Sequence, residues 1–122
     1  AGGITGSEYS GVHGVLGELD AANGAEFVAY AMAQAERAQH LVIDLSGLTF
    51  FATAGFTALH NLNVQTVGEE VRWALASAPS VQRVLRICDP DATLPVFADV
   101  DDALRAVHQD PPPLLHLVTE SR

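Results

Sequence analysis

Cysteine, basic residues and long apolar runs are all scarce in this sequence. A single cysteine, Cys88, leaves no disulfide to form within the chain, so we expect a protein of the reducing cytoplasm. Six lysine and arginine residues stand against fifteen aspartate and glutamate residues, and the net charge of −9 opposes approach to nucleic-acid phosphates or anionic lipids. No apolar run approaches the roughly 20 residues that cross a bilayer. The sequence therefore predicts neither direct nucleic-acid binding nor a membrane partner.

Motifs of nucleotide binding, metal binding and hydrolysis are also missing. No glycine precedes a Lys-Ser or Lys-Thr pair, and Gly11, Gly14 and Gly17 do not match a dinucleotide fingerprint. The five histidines lack metal-ligand spacing, and Cys88 falls on an apolar helix face, as expected of an inert core thiol. The one hydroxyl at a strand-to-helix elbow, Thr53 in "ATAGF", does not fit a Gly-x-Ser-x-Gly nucleophile motif. We therefore expect no catalytic residue, no cofactor and no metal.

Apolar residues make up 48% of the 122 residues, which is enough for the core of one domain. "LVIDL" (residues 41–45) is a nearly continuous apolar run, typical of a central strand covered on both faces. "VRWAL" (71–75) predicts a second strand, half-covered. Weaker strand patterns occur at residues 12–16 and in "LPVF" (94–97), where a proline disfavours pairing.

Helices are indicated where apolar residues recur at i, i+3, i+4 and i+7. A helix is expected at about 54–67, with Thr53 at its start and Gly68 placed to end it. Asn23 and Asp99 are the predicted N-caps of two others. The periodic sets of the remaining three helices are Val28, Ala31, Met32 and Ala35; Val81, Val84, Leu85 and Cys88; and Val100, Ala103, Leu104 and Val107.

The alternation of strands and helices predicts an α/β domain with right-handed crossovers. We expect a mostly parallel central sheet of about four to five strands with about four helices, over residues 1–108. We expect residues 109–122 to be a proline-rich C-terminal tail. It contains "DPPP" at residues 110–113 and the apolar run "LLHLV" at residues 114–118. This run either folds back onto the domain or contacts another chain.

Thr53 has two interpretations from its position alone. The first turn of a helix has unpaired N–H groups and the positive end of the helix dipole, which favour a side-chain oxygen or a phosphate. Thr53 is then either an N-cap, which stabilises a helix by about 1 kcal/mol, or a phosphorylation switch.

Two short stretches give the sequence a family resemblance. "GELD" (17–20) follows the first predicted strand, and "FFATAGF" (50–56) follows a strand that ends in Asp-Leu (44–45). The chain resembles a STAS domain of the anti-sigma factor antagonist type over about residues 9–108. Such domains carry a Gly-Glu-Leu-Asp-like turn and a later Asp-Ser-Ser-Gly or Asp-Ser-Thr-Gly turn. The family's phosphorylated serine falls on Thr53 and its aspartate on Ala52.

The resemblance implies a binding protein rather than an enzyme. Its partner would be a cytoplasmic anti-sigma factor, often a kinase-like protein that phosphorylates serine or threonine, and binding would release a sigma factor. Phosphorylation at Thr53 would end the interaction, and a phosphatase would restore it. The alternative is a STAS scaffold or signalling subunit that works without phosphorylation, which the Ala52 substitution favours. The resemblance implies these partner-binding candidates: Asp20, Ala52, Thr53, Ala54, Gly55 and Phe56.

Overall fold

The computed structural model describes residues 3–38 and 40–108. Six strands and four helices occur in this part of the chain, in the order β1 (Ile4–Tyr9), β2 (Val12–Leu19), α1 (Gly24–Ala38), β3 (His40–Asp44), β4 (Leu48–Phe51), α2 (Thr53–Gly68), β5 (Arg72–Ala76), α3 (Pro79–Cys88), β6 (Val96–Phe97) and α4 (Val100–His108). The predicted tail at 109–122 lies outside the described residues. Its boundary and its role stay predictions.

The strands form one mixed sheet in the order β1-β2-β3-β5-β6, with β4 also paired to β2. Only the β1–β2 hairpin is antiparallel, so the prediction of a mostly parallel α/β sheet is confirmed. The described strands include β1 and β4, which were not predicted. All residues of β1 except Ile4 are exposed, so its sequence shows no apolar alternation, and the four residues of β4 run directly into α2.

Strand β2 divides its pairing between two neighbours. Residues 12–14 pair with residues 42–44 of β3, and residues 17–19 pair with β4. Within the pairing to β4 the register shifts between Gly17 and Glu18, whose partners are Leu48 and Phe50, so that Thr49 is skipped. Because the pairing is divided, β4 continues along β2 where β3 stops, which places the start of α2 beside the end of β2.

The core has a layer on each face of the sheet. The larger layer packs α1, α2 and α3 against Leu41, Ile43 and Leu75, and the smaller one packs α4 against Val42 and Ala74. Strand β3 is therefore covered on both faces, as predicted. The prediction that β5 is half-covered is wrong, because Trp73 and Leu75 belong to the larger layer while Ala74 lies under α4.

The helical periodicities place the helices correctly. All four periodic residues of α1 are buried, as are Ala103 and Val107 of α4, and α2 exceeds the predicted span by one residue at each end. Cys88 is half-buried at the end of α3 rather than within the core. The reason is that α3 inserts only Val81 and Leu85 fully, so its last turn extends past the core.

Candidate functional site

The carboxyl ends of β2 and β4 lie side by side and bring together the two segments that the sequence analysis singled out. Glu18 pairs with Phe50 and Leu19 with Phe51. The N–H of Ala52 then donates to the carbonyl of Leu19 over 3.1 Å. Because the two strands are parallel, the turns that follow them leave from the same edge of the sheet. The turn at Asp20 therefore lies beside the start of α2.

Gly17 of the "GELD" stretch is required by a close backbone approach. It has a φ of +107°, which side-chain-bearing residues rarely adopt, and it lies at the register shift of β2. A Cβ atom here would stand 2.1 Å from the carbonyl oxygen of Gly3, an oxygen that accepts a 3.0 Å hydrogen bond from the N–H of Glu18. Glycine thus allows the backbone of Gly3 to approach β2 closely, next to the point where the pairing with β4 shifts register.

Asp20 is half-buried and organises the turn between β2 and α1. Its Oδ1 accepts the N–H of Ala22 over 2.9 Å, and its own N–H donates to Oδ1 of Asn23 over 3.0 Å. The Asn23 side chain also donates to the carbonyl of Glu18 over 2.8 Å. Asn23 directly precedes α1, as predicted, but these bonds run back into the turn. Asp20 therefore shapes this turn, and its role as a partner contact stays a prediction.

The start of α2 differs from the predicted N-cap arrangement. The N-cap residue is Ala52, with φ −89° and ψ 170°, and no side chain forms a capping hydrogen bond. Thr53 is the first helical residue and is exposed. The N-cap interpretation of Thr53 is therefore wrong: Thr53 already has helical geometry, whereas a capping oxygen comes from the extended residue before the helix. The Thr53 hydroxyl faces solvent at a helix end without a side-chain cap.

Gly55 is buried, because the ring of Phe51 packs against the first turn of α2. A Cβ atom on Gly55 would lie 2.7 Å from Cε1 and 2.9 Å from Cδ1 of Phe51. Phe51 is itself almost completely buried in the core. Glycine at this position thus fixes the angle at which α2 leaves β4, and no side chain from residue 55 reaches the surface.

Ala54 and Phe56, the two remaining candidates, are both half-buried and point to opposite sides of α2. Ala54 lines a groove of about 560 Å³ between α1 and α2, where small residues such as Gly24 and Ala58 leave space between the helices. Phe56 packs against the core with one side, and its ring centroid lies 6.2 Å from that of His60. The predicted candidates therefore surround the first turn of α2 but do not all share one surface.

The exposed side of α2 carries a surface that the sequence analysis missed. It consists of Thr53, Thr57, His60, Val64 and Val67, which lie at helical spacing and which we call the α2 face. Val64 and Val67 are 57% and 68% exposed. No Asp, Glu, Lys or Arg occurs between Asp44 and Glu69. That gap in charge is visible in the sequence and could have indicated the surface.

Apolar side chains exposed on an uncharged helix are unusual in a chain of net charge −9. In an isolated domain, the outward side of a surface helix normally carries charged residues. Depletion of charge with exposed apolar groups is typical of the centre of a protein–protein interface. The α2 face therefore has the composition of a docking surface.

A hydrogen-bonded carboxylate stands at the end of β3, the next strand of the sheet. Oδ1 of Asp44 accepts the N–H of Ser46 over 2.9 Å and its hydroxyl over 2.6 Å, while Oδ2 accepts the Tyr9 hydroxyl over 2.6 Å. Partial burial alone would raise the pKa of Asp44, but these bonds outweigh it and hold the pKa below its usual value. The same hydrogen bond raises the pKa of Tyr9 to about 12.

A second carboxylate, Asp89, lies at the C-cap of α3 near the α2 face. Burial acts to raise its pKa, but hydrogen bonds from the N–H and hydroxyl of Thr93 and the N–H of Leu94 lower it overall. His60 also lowers the pKa of Asp89 through its charge. Both carboxylates are thus engaged in turns. Within residues 3–38 and 40–108, no group of three or more His, Cys, Asp or Glu side chains could hold a metal ion.

Comparison with known proteins assigns this architecture to a family. The family model described as "STAS domain" matches residues 11–103, from the start of β2 into α4. The chain belongs to the STAS family. The match includes the register shift between β2 and β4, Asp20 and the whole of α2. The resemblance inferred from "GELD" and "FFATAGF" is therefore confirmed.

Solved structures with the same fold include anti-sigma factor antagonists. This STAS domain aligns with an anti-sigma factor antagonist from Mycobacterium paratuberculosis with a TM-score of 0.71 and 26% identity, over 89% of this chain and 96% of that chain. The anti-sigma factor antagonist SpoIIAA in its unphosphorylated form aligns with a TM-score of 0.66 and 14% identity, over 90% and 100% of the two chains. A putative anti-sigma factor antagonist from Thermotoga maritima aligns with a TM-score of 0.69 and 15% identity, over 87% of this chain and 95% of that chain. The last two identities are low enough to support the shared fold alone.

These relatives place the STAS domain among regulatory proteins rather than enzymes. A comparison with curated protein sequences gave no significant match. Among the described residues, none of the helices combines the length and the apolar character needed to span a membrane.

Proposed function

We propose that this STAS domain is an anti-sigma factor antagonist, which binds an anti-sigma factor in the cytoplasm and thereby frees a sigma factor. The observation that carries the proposal is the α2 face, a partly apolar helix surface without Asp, Glu, Lys or Arg in an acidic chain. The fold shared with the Mycobacterium paratuberculosis antagonist supports it. Binding through this face needs no catalytic group and no cofactor.

Two features of the surface suit it to such a partner. Val64 and Val67 supply apolar area that loses water on docking, while the net charge of −9 on the chain attracts a basic partner over longer distances. The turn at Asp20 adjoins the first turn of α2, so one partner would contact both. In this proposal Asp20 and Thr53 lie at the border of the interface and Val64 lies nearer its centre.

We further propose that phosphorylation of Thr53 switches binding off and that a phosphatase switches it on again. Thr53 is exposed at the start of α2, where a kinase can reach its hydroxyl without unfolding the helix. A phosphate would add about −1.5 to −2 charges to a surface that carries no Asp, Glu, Lys or Arg. The helix N-terminus would hold that phosphate in place. The bulk of the phosphate and the cost of removing its water would then block docking at this surface without any change of fold.

The experiment compares the partners of wild type with those of Thr53→Asp. Tagged proteins capture partners from lysate of the source organism, quantitative mass spectrometry identifies them, and calorimetry with the purified partner gives the affinities. We expect an anti-sigma factor to bind wild type and to bind Thr53→Asp at least about tenfold more weakly, a loss of about 1.4 kcal/mol. Thr5→Asp is the matched control, because it adds the same charge at an exposed position of β1.

Two further measurements separate binding from phosphorylation. If the captured partner is a kinase, incubation with ATP should phosphorylate wild type at Thr53, and Thr53→Val should remain unmodified. Equal affinity of wild type and Thr53→Asp for an anti-sigma factor would retain the antagonist function but contradict the switch. Absence of any anti-sigma factor among the partners would contradict the proposed function itself.

A STAS scaffold without phosphorylation is the second candidate, and Ala52 is the observation that favours it. The family's aspartate beside the phosphorylated residue is replaced here, so one carboxylate that could contact a kinase is missing. A scaffold predicts that other proteins are captured and that Thr53→Asp leaves their affinity unchanged. The same capture experiment therefore distinguishes the two candidates.

A further inference from the structure

None of the residues that the structure describes covers one half of the sheet on the face where α4 packs elsewhere. Helix α4 packs mainly on β3, β5 and β6. On this face Ala103 and Val107 of α4 cover Val42 and Ala74, with Val12 at the start of β2. Strand β1, the second half of β2 and β4 extend beyond the helix.

Three large apolar side chains stand on this uncovered area. Leu16 lies on the same face of β2 as Val12, because side chains alternate along a strand. Tyr9 leans over β2, with Cε1 3.6 Å from the position of a Cβ on Gly14, and Phe50 points opposite to the buried Phe51. Tyr9, Leu16 and Phe50 are 46%, 51% and 49% exposed, and we call them the bare face.

The chain leaves α4 at the edge of the bare face. The His108 ring, at the end of α4, lies 4.9 Å from the ring of His40 at the start of β3. A cavity of about 130 Å³ here is bordered by His108 together with Ser10 and Gly11 of the β1–β2 turn. Since Tyr9 directly precedes that turn, whatever follows residue 108 starts next to one end of the bare face.

The length and composition of the following segment match the area. If residues 109–113 are extended at ~3.1 Å per residue, as polyproline segments are, Leu114 reaches up to about 19 Å from His108. Strand β2 advances about 16 Å from Gly11 to Leu16 at ~3.3 Å per residue. The apolar run at 114–118 therefore begins at the distance where Leu16 stands and can continue toward Phe50.

We propose that residues 114–118 of this chain dock on the bare face. In an extended segment Leu115 and Leu117 point the same way and can contact Leu16 and Phe50, while His116 points away from them. The prolines favour this intramolecular contact over one with a second copy, because a stiff connection that spans the required distance gives a high effective concentration. In this proposal the tail covers β1, β2 and β4, as α4 covers the rest of the sheet on the same face.

Hydroxyl-radical footprinting of the full chain tests the proposal, because it reports the solvent exposure of individual side chains. The test variant is Leu115→Asp/Leu117→Asp, and the matched control is Thr119→Asp/Ser121→Asp, which adds the same charge without removing apolar groups. We expect Tyr9, Leu16 and Phe50 to be modified severalfold faster in the test variant than in wild type and the control. Tyr30, on the opposite face of the sheet, should react equally in all three.

Two results would overturn the inference. Equal modification of Tyr9, Leu16 and Phe50 in wild type and the test variant would mean that the tail does not cover them. Protection that grows with protein concentration, together with a dimer mass in light scattering, would assign the face to a second copy instead. Methyl–aromatic NOEs between the tail leucines and Phe50 in the monomer, absent from the test variant, would support the proposal directly.

Discussion

Two kinds of turn join the elements of this STAS domain, and they differ in whether a carboxylate holds them. Four aspartates each accept the N–H of a residue two to four positions further on: Asp20 from Ala22 over 2.9 Å, Asp44 from Ser46 over 2.9 Å, Asp89 from Thr93 over 3.0 Å and Asp99 from Asp102 over 2.9 Å. The turn into α2 has Ala52 at the equivalent point and no side-chain bond.

The carboxylate-held turns stabilise the fold, whereas the turn into α2 presents the α2 face. Asp99 caps α4, and Asp101 and Asp102 complement the dipole of its first turn. Helix α2 starts without a side-chain cap and without an acidic residue, so backbone hydrogen bonds and the packing of Phe51 on Gly55 fix its first turn. No side-chain oxygen occupies this helix end, which suits a residue whose hydroxyl is proposed to receive a phosphate.

The largest expected effect comes from disturbing the packing that replaces the cap. Gly55→Ala places a methyl group 2.7 Å from the Phe51 ring, so we expect a loss of about 1 to 2 kcal/mol in the free energy of unfolding. Urea titration measures it. Gly68→Ala is the control at the other end of α2, where nothing lies within 4 Å, and it should be neutral or slightly stabilising. Equal effects at the two glycines would contradict the packing argument.

Removal of a carboxylate-held start should weaken α4. Asp99→Ala leaves the N–H of Asp102 without its acceptor, and we expect a loss of about 1 kcal/mol in unfolding free energy. Asp99→Asn retains an acceptor oxygen and should recover most of that loss. A thermal or urea unfolding series of the three proteins checks it. If Asn and Ala are equally destabilising, the bond to Asp102 is not the cause.

Addition of a carboxylate before α2 should give this helix a start that is held by a side-chain hydrogen bond. Ala52→Asp supplies an N-cap oxygen and a negative charge at the helix N-terminus, which should raise unfolding free energy by about 0.5 to 1 kcal/mol. Ala54→Asp is the comparison. It adds the same charge two residues after the N-cap, within the first turn of α2, and should gain less unfolding free energy. An unchanged stability of Ala52→Asp would show that the backbone at residue 52 cannot direct a side chain to the first turn.

The smallest effect concerns the pH dependence of the exposed Asp44 turn. The folded pKa of Asp44 is lowered, so its contribution is present above its unfolded pKa of about 4 and is lost as the pH falls through the folded value. The raised pKa of Tyr9 acts in the opposite direction: that contribution is lost as the pH rises toward about 12.

NMR titration of the tyrosine rings measures the pKa of Tyr9. We expect Tyr9 to titrate near 12 in wild type, and Asp44→Asn should move it back toward about 10, because the charged acceptor is gone. Urea titrations in acid measure the contribution of Asp44 to the free energy of unfolding. As the pH falls, wild type should lose stability relative to Asp44→Asn. A Tyr9 titration that is insensitive to Asp44→Asn would show that the hydrogen bond is not formed in solution.

The fold was predictable where one apolar pattern determines one element. The run at 41–45 and the helical periodicities gave β3, α1, α3 and α4, because burial on a fixed face constrains residue type directly. Strand β1 was not predictable, since the sheet edge buries only part of Ile4 and backbone bonds alone hold the rest. The cover of β5 was also missed: its first residue, Arg72, is exposed, but α4 covers one face of the strand at Ala74.

The candidate site was only partly predictable. The family resemblance implied that Asp20 and the start of α2 are partner-binding candidates, but the β2–β4 pairing that makes them adjacent was not predicted. The N-cap role assigned to Thr53 depended on a helix boundary one residue away from the observed one. The burial of Gly55 depended on the ring position of Phe51, which no local pattern encodes. The absence of charge in α2 was available in the sequence, but it gains meaning only once those side chains are known to be exposed.

The divided pairing of β2 also has a consequence for chain entropy during folding. Once β3 has paired with residues 12–14, the ends of the short turn at 45–47 already lie next to the free half of β2. Closing β4 onto residues 17–19 then encloses little additional loop, so this step costs little entropy compared with the α1 crossover that precedes it. The helix that presents Thr53 thus inherits its position from a zippering step, and its placement needs no separate long-range search.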